Sequence, residues 1–188
     1  MIRVAIVVVV TALLAGTASA DVQPWFDAAL DGDVAALETI AGNHVTQVVD
    51  TVDDSGYSAL ILAAYHDQLR AVSWLVAHGA STCVADQRGY TALMGAVFRG
   101  HDRIVAALAG KPCGADHVTV AGQTPLMLAA LFGRAGMVKR LLAAGADPSR
   151  RDGNGSDARA LAAAQGNDEI VTLLDAAAAA RARRKHAR

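Results

Sequence analysis

The side chains able to do chemistry are few and scattered. The chain has six histidines and two cysteines. None falls at the spacing of a zinc-protease helix, a dithiol redox motif or a phosphate-cradling glycine loop. No Gly-x-Ser-x-Gly elbow presents a serine nucleophile. The nearest approach to a metal loop is Asp152-x-Asn154-x-Ser156, whose oxygens begin as a calcium loop does. It then carries Asp157 where a glycine must turn the chain and Ala163 where a bidentate carboxylate must close the coordination shell. Nor does any constellation offer a nucleophile, a base and a group to orient them. The expectation is a protein without catalytic residues, metal ligands or a cofactor.

The elements that would have to position any site announce themselves by period. Gly56, Gly89, Gly122 and Gly155 are each 33 residues apart. Ala63, Ala96, Ala129 and Ala162 keep the same beat, as do Val72, Val105, Val138 and Val171, and Leu75, Leu108, Leu141 and Leu174. Ser58, Thr91 and Thr124 supply a hydroxyl at one place in each unit, where a helix N-terminus needs an acceptor for its unpaired N–H groups. Several independent columns at one period are the mark of a stacked solenoid, in which each unit buries its apolar side against the next.

The clearest unit reads Gly122-Gln123-Thr124-Pro125-Leu126, then Leu128-Ala129-Ala130, then Leu141-Leu142-Ala143-Ala144-Gly145-Ala146-Asp147. It resembles an ankyrin repeat. Gly56-Tyr57-Ser58-Ala59-Leu60 with Val76-Ala77-His78-Gly79-Ala80, and Gly89-Tyr90-Thr91-Ala92-Leu93 with Gly100-His101, are its neighbours. The resemblance implies an all-α solenoid of helix-turn-helix units joined by β-turn or hairpin loops, about five repeats including caps. It also implies partner binding through the turn tips and the exposed face of the inner helices. Some exported bacterial members are associated with oxidative-stress defence, and an accessory role of that kind is an implication of the family alone.

The units are expected at about 21–52, 53–85, 86–118, 119–151 and 152–180, within a domain spanning 21–180. The first lacks the leading turn and reads as an N-terminal cap. Its segment from Ile40 to Asp53 is two residues longer than the equivalent Leu141 to Asp152, which predicts a bulging loop. In the second full unit the outer helix should end early, at Gly110-Lys111-Pro112, and Gly95 replaces the usual leucine, leaving a thin spot. Asp67 stands in place of the family's inter-helix glycine, and His101 occupies its turn-histidine column. In the last unit Arg159 stands where Leu60, Leu93 and Leu126 stand elsewhere, as suits a C-terminal cap with a wet outer face.

Residues 1–20 read as a cleavable secretory signal: Arg3, an apolar run from Val4, and Ala18-Ser19-Ala20 as the small-residue cleavage site. The run is about a dozen residues against the roughly 20 a bilayer span requires, so no stable membrane insertion is expected after cleavage. The expected location is the periplasm. Between the signal and the tail lie 11 Lys and Arg against 18 Asp and Glu, a balance of −7. Such a body is not suited to nucleic acid, whose binding depends on clustered cations that neutralise phosphates. A basic tail at 181–188, carrying Arg181, Arg183, Arg184, Lys185 and Arg188, is expected to fray. An alternative makes this tail a contact for an anionic membrane surface. Cys83 and Cys113 lie near the ends of consecutive units. An even count in an exported protein favours a disulfide. Units stack about 10 Å apart, however, and a bridge needs Cα atoms within about 7 Å. Only an irregular loop at Cys113 would close that gap, and a bridge and two separate thiols both stand.

The candidate partner-binding residues follow from alignment to the family: Tyr57, Arg88, Tyr90 and Gln123 at turn tips, and Tyr65, His66, Phe98, Arg99, Leu131 and Phe132 on inner helices. All three tyrosines and two of three phenylalanines are in this set, in a chain only 4% aromatic. Tyr, Phe and Arg are the types enriched at interface centres. The competing reading is sideways packing of Phe98 and Phe132 between neighbouring repeats. If the face is outward, truncating Tyr57, Tyr90 and Phe98 should leave stability little changed. The function expected is a non-enzymatic, monomeric module that binds a protein partner. The alternative places a small ligand or an enzymatic site in the same groove, and Trp74 is expected to cover the opposite, convex side.

Overall fold

A computed structural model describes residues 22–186; the expected signal segment lies outside the described residues. The chain forms five helix pairs in series. The first is α1 (Gln23–Asp31) and α2 (Val34–Ala41), followed by a 3-10 turn at Gly42–His44 and a short α3 (Val45–Val48). The next four are α4 (Ala59–Tyr65) with α5 (Leu69–Ala77), α6 (Ala92–Arg99) with α7 (Asp102–Leu108), α8 (Pro125–Leu131) with α9 (Ala135–Ala143), and α10 (Ala158–Ala164) with α11 (Asp168–His186). The inner helices α1, α4, α6, α8 and α10 contact one another in that order, and the outer helices stack behind them.

The repeated columns explain the stacking. Ala63, Ala96, Ala129 and Ala162 are fully buried, so inner helices approach with only a methyl group between them. Val72, Val105 and Val138, and Leu75, Leu108, Leu141 and Leu174, close the layer beneath the outer helices. The inner helices α4, α6, α8 and α10 each start on an oxygen that caps them, whereas α1 has no side-chain cap. Ser58 Oγ accepts from Ile61 N, Thr91 Oγ1 from Met94 N, Thr124 Oγ1 from Met127 N and Asp157 Oδ1 from Ala160 N. Such a cap contributes about 1 kcal/mol.

The turns before α4, α6 and α10 use the same local chemistry, and in the turn before α8 Thr119 Oγ1 takes the aspartate's place, accepting from Gln123 N at 3.1 Å. Asp53 Oδ1 accepts from the N–H groups of Ser55 and Tyr57, Asp86 Oδ1 from Arg88 and Tyr90, and Asp152 Oδ1 from Asn154 and Ser156. The calcium-like Asp152 segment is thus a copy of this turn. Successive turns are tied by backbone hydrogen bonds, Gln87 N to Ser55 O at 3.3 Å, Val120 N to Arg88 O at 3.0 Å and Gly153 N to Ala121 O at 2.9 Å. The turn glycine is required twice over at Gly89. Its φ is +83°, and a Cβ there would stand 2.8 Å from Val120 N.

Several irregularities differ from expectation. The extra residues after Ile40 do not bulge; they wind into the 3-10 turn and α3, which buries Val48 and Val49. Apolar valines at these positions make winding inward more favourable than an exposed loop. Asp67 takes the left-handed conformation of the glycine it replaces, with φ 61°. The outer helix α7 does stop early, at Leu108. The loop beyond it carries Cys113 at φ 50° and brings its Cα within 5.1 Å of Cys83, forming a disulfide. Thr82 Oγ1 donates to Pro112 O across the same junction at 2.6 Å. The basic tail is not frayed within the described residues: α11 runs unbroken to His186. Alanine-rich sequence favours that continuation, and Arg181 anchors it to Asp147 at 2.8 Å. Arg159, at the solenoid's end, pairs with Asp175 at 2.6 Å. On the convex side Trp74 meets Trp25 edge-on and donates to Glu38 Oε1 at 3.1 Å.

Candidate functional site

The concave side is built where the inner helices end. At the ends of α1, α4 and α6 a carbonyl is taken by a residue from the next repeat. Gln68 Nε2 donates to Leu30 O at 2.9 Å, His101 Nε2 meets Tyr65 O at 3.0 Å, and Arg134 Nη2 donates to Phe98 O at 3.1 Å. His101 is held on its other side by Asp67, 3.6 Å from Nδ1, which explains how an aspartate serves in the glycine's place. This column fixes the helix ends on which the aromatic residues stand.

Three rings form a row across the repeats. Tyr65 and Phe98 stack at 6.3 Å between centroids, 13° apart in plane, and Phe98 meets Phe132 edge-on at 5.3 Å. Phe132 belongs to the column of His66 and Arg99, one position beyond that of Tyr65, Phe98 and Leu131. Its ring therefore arrives edge-on and not stacked. Sideways packing and exposure coexist here: Phe98 remains 43% exposed and Phe132 41%. Leu131 is half-buried beside this row. Arg99 lies over the Tyr65 ring at 5.0 Å, and His66 sets its ring edge against Tyr65 at 5.5 Å.

Toward the turn tips, Tyr57, Tyr65, His66, Arg88, Tyr90 and Phe98 border one groove of about 530 Å³ between α4 and α6. Arg88 covers the Tyr90 ring at 5.7 Å, and Tyr90 donates its hydroxyl to Gln123 Oε1 at 3.3 Å. Tyr57 and Tyr90 are half-buried and packed against the core. Truncating them would remove packed surface, so the expectation that stability is indifferent to all three aromatics applies to Phe98 alone. The alignment did not single out Ile61, Leu62 and Asp86, which also line the groove, nor did it place Gly95 at its floor. A signal was present. In the column Leu62, Gly95, Leu128 and Leu161 a single leucine is missing.

Among the described residues no group of three or more His, Cys, Asp or Glu side chains is placed to hold a metal ion. No described helix is long and apolar enough to cross a membrane. The clearest carboxylate perturbations lie away from the groove. Hydrogen bonding from Arg159 lowers the Asp175 pKa, and that from Ser149, with a smaller contribution from Arg181, lowers that of Asp147.

Paired helices stacked through alanine columns, with a ridge of unsheathed aromatic side chains, define a solenoid interaction domain. The family model "Ankyrin repeats (3 copies)" matches twice, over residues 25–121 and 107–183, and the chain belongs to the ankyrin repeat family. No curated protein matches it. Ankyrin repeats generally mediate protein–protein interaction, and their domains are typically non-enzymatic binding modules.

Proposed function

We propose that this protein is a non-enzymatic module that holds a protein partner on its concave face and turn tips. The observation that carries the reading is the row Tyr65, Phe98 and Phe132, whose two phenylalanine rings stay more than two-fifths exposed although already ordered by their neighbours. Exposed apolar surface of this kind marks interaction sites, and rings ordered in advance lose little freedom on binding. Binding suits the groove better than catalysis. Asp86, the carboxylate on its border, is committed through Oδ1 to the turn at 2.9 and 2.8 Å. His66 contacts an aromatic ring.

We place this activity in the periplasm. The signal-like residues 1–20 support that reading, and so does the Cys83–Cys113 bridge, because disulfides persist in oxidising compartments. An accessory role in oxidative-stress defence, implied by the family resemblance, would operate in the same setting. The test is affinity capture from periplasmic extract with wild type and Phe98→Ala/Phe132→Ala, quantified by mass spectrometry. A protein enriched on wild type and depleted on the variant is the expected result. Identical retained proteins would refute binding through this face.

A further inference from the structure

Gly95 sits in the middle of α6, where a glycine costs about 0.5–1 kcal/mol relative to alanine. Nothing in the backbone demands it. Its φ is not in the left-handed region, and a Cβ there would meet only the Tyr65 side chain, at 3.6 and 3.9 Å, in ordinary van der Waals contact. The other full repeats carry Leu62 and Leu128 at this position. The missing leucine opens the floor of the groove bordered by Tyr57, Tyr65, Tyr90 and Phe98. A destabilising residue that local packing does not require is accounted for if the space above it is used.

Positive charge borders this groove at Arg88 and stands beside it at Arg99, over the ring of the lining residue Tyr65. Arg88 stands at the turn and Arg99 at the last residue of α6, each laid against a tyrosine ring. Neither guanidinium has an ion-pair partner among the described residues, whereas Arg140, Arg159 and Arg181 are each held by an aspartate. An arginine packed on a ring keeps its N–H edge free for a carboxylate. Arg88 lies four residues before the start of α6 and Arg99 is its last residue, so the chain between them runs the full length of that helix, about 12 Å. In an extended chain, side chains on one face recur every second residue at about 3.3 Å per residue, so positions i and i+4 lie about 13 Å apart.

We propose that the groove over Gly95 receives an extended segment of the partner with the pattern acidic–x–large apolar–x–acidic. The central side chain enters the space above Gly95, and the flanking carboxylates reach Arg88 and Arg99. The proposal rests on the concave-face reading and specifies the partner's chemistry.

The test uses three fluorescein-labelled peptides with the cores Glu-Ser-Phe-Ser-Glu, Gln-Ser-Phe-Ser-Gln and Lys-Ser-Phe-Ser-Lys, titrated by fluorescence anisotropy at low salt. Wild type should bind the acidic probe about tenfold more tightly than the neutral one, from two exposed charge pairs together, and the basic probe most weakly. Arg88→Glu/Arg99→Glu should reverse the order. Gly95→Leu should abolish binding of all three, and Gly95→Ala should weaken it while the protein melts at a higher temperature, which separates a filled groove from a failed fold. No binding of the acidic probe to wild type, equal binding of the three probes, or undiminished binding to Gly95→Leu and Gly95→Ala would overturn the proposal. Those results would leave the concave-face reading standing, since the captured proteins lost on Phe98→Ala/Phe132→Ala decide it separately.

Discussion

Reducing the Cys83–Cys113 bridge offers the sharpest test of how the second and third repeats are joined. The cysteines are 30 residues apart in sequence. Closing a loop of that length removes unfolded-state entropy worth about 3.5 kcal/mol at 25 °C in the chain-entropy description. Both cysteines are exposed, so replacing them by serine gives up little packed surface. The Thr82–Pro112 hydrogen bond remains to hold the loops together. For a chain of this size, each kcal/mol corresponds to roughly 2–4 °C in melting temperature. The loss should therefore be roughly 7–14 °C. The assay is circular-dichroism melting of wild type and Cys83→Ser/Cys113→Ser, each with and without dithiothreitol. Reductant should lower the wild-type midpoint to that of the double variant and leave the variant unmoved. A wild type indifferent to reductant, or a variant melting with oxidised wild type, would refute the argument that the bridge constrains the unfolded chain.

Two glycines of one repeat should respond in opposite directions to alanine. Gly95→Ala should raise stability by about 0.5–1 kcal/mol through helix propensity. Gly89→Ala should lower it by more than about 1 kcal/mol, because its positive φ and the 2.8 Å approach to Val120 N leave no room for a Cβ; urea midpoints check both. The pH response follows from Asp147 and Asp175, whose pKa values are lowered in the folded protein. Their stabilisation is present above the unfolded carboxylate pKa and lost as pH falls through the folded value. The melting temperature of Asp147→Asn/Asp175→Asn should thus fall less steeply than that of wild type between about pH 5 and about pH 2. Parallel pH profiles would show that these contacts contribute nothing.

What could be read from sequence was what is local and repeated. Asp86, Gly89 and Thr91 act within five residues of one another, so their spacing alone encodes a turn followed by a capped helix. The alanine, valine and leucine columns encode the core for the same reason, one unit at a time. The disulfide was left open because it depends on the backbone path through Lys111–Cys113, a departure from the period that no column describes. The winding of α3, the half-burial of Tyr57 and Tyr90, and the anchoring of Arg181 on Asp147 likewise depend on contacts between units or on single irregular residues. The site was legible as a set of columns. Which of its members share a groove was not, because that depends on the depth left at Gly95.

The aromatic row has a physical reason to be outside. Alanines at 63, 96 and 129 draw the inner helices together, and Leu60, Leu93 and Leu126 fill the layer beside them. No interior space remains for rings at 65, 98 and 132, and they close over the helix ends already tied down by His101 and Arg134. Each ring then covers part of its neighbour, and Phe98 and Phe132 still leave much of their surface to solvent. A surface ordered in this way has met part of the entropic cost of binding during folding. The same close stacking leaves the one missing leucine unfilled, because neighbouring helices held by alanine contacts cannot slide inward to occupy it. The row and the groove are thus two consequences of one packing scheme, the first a surplus of side chain at the rim and the second a deficit at the floor.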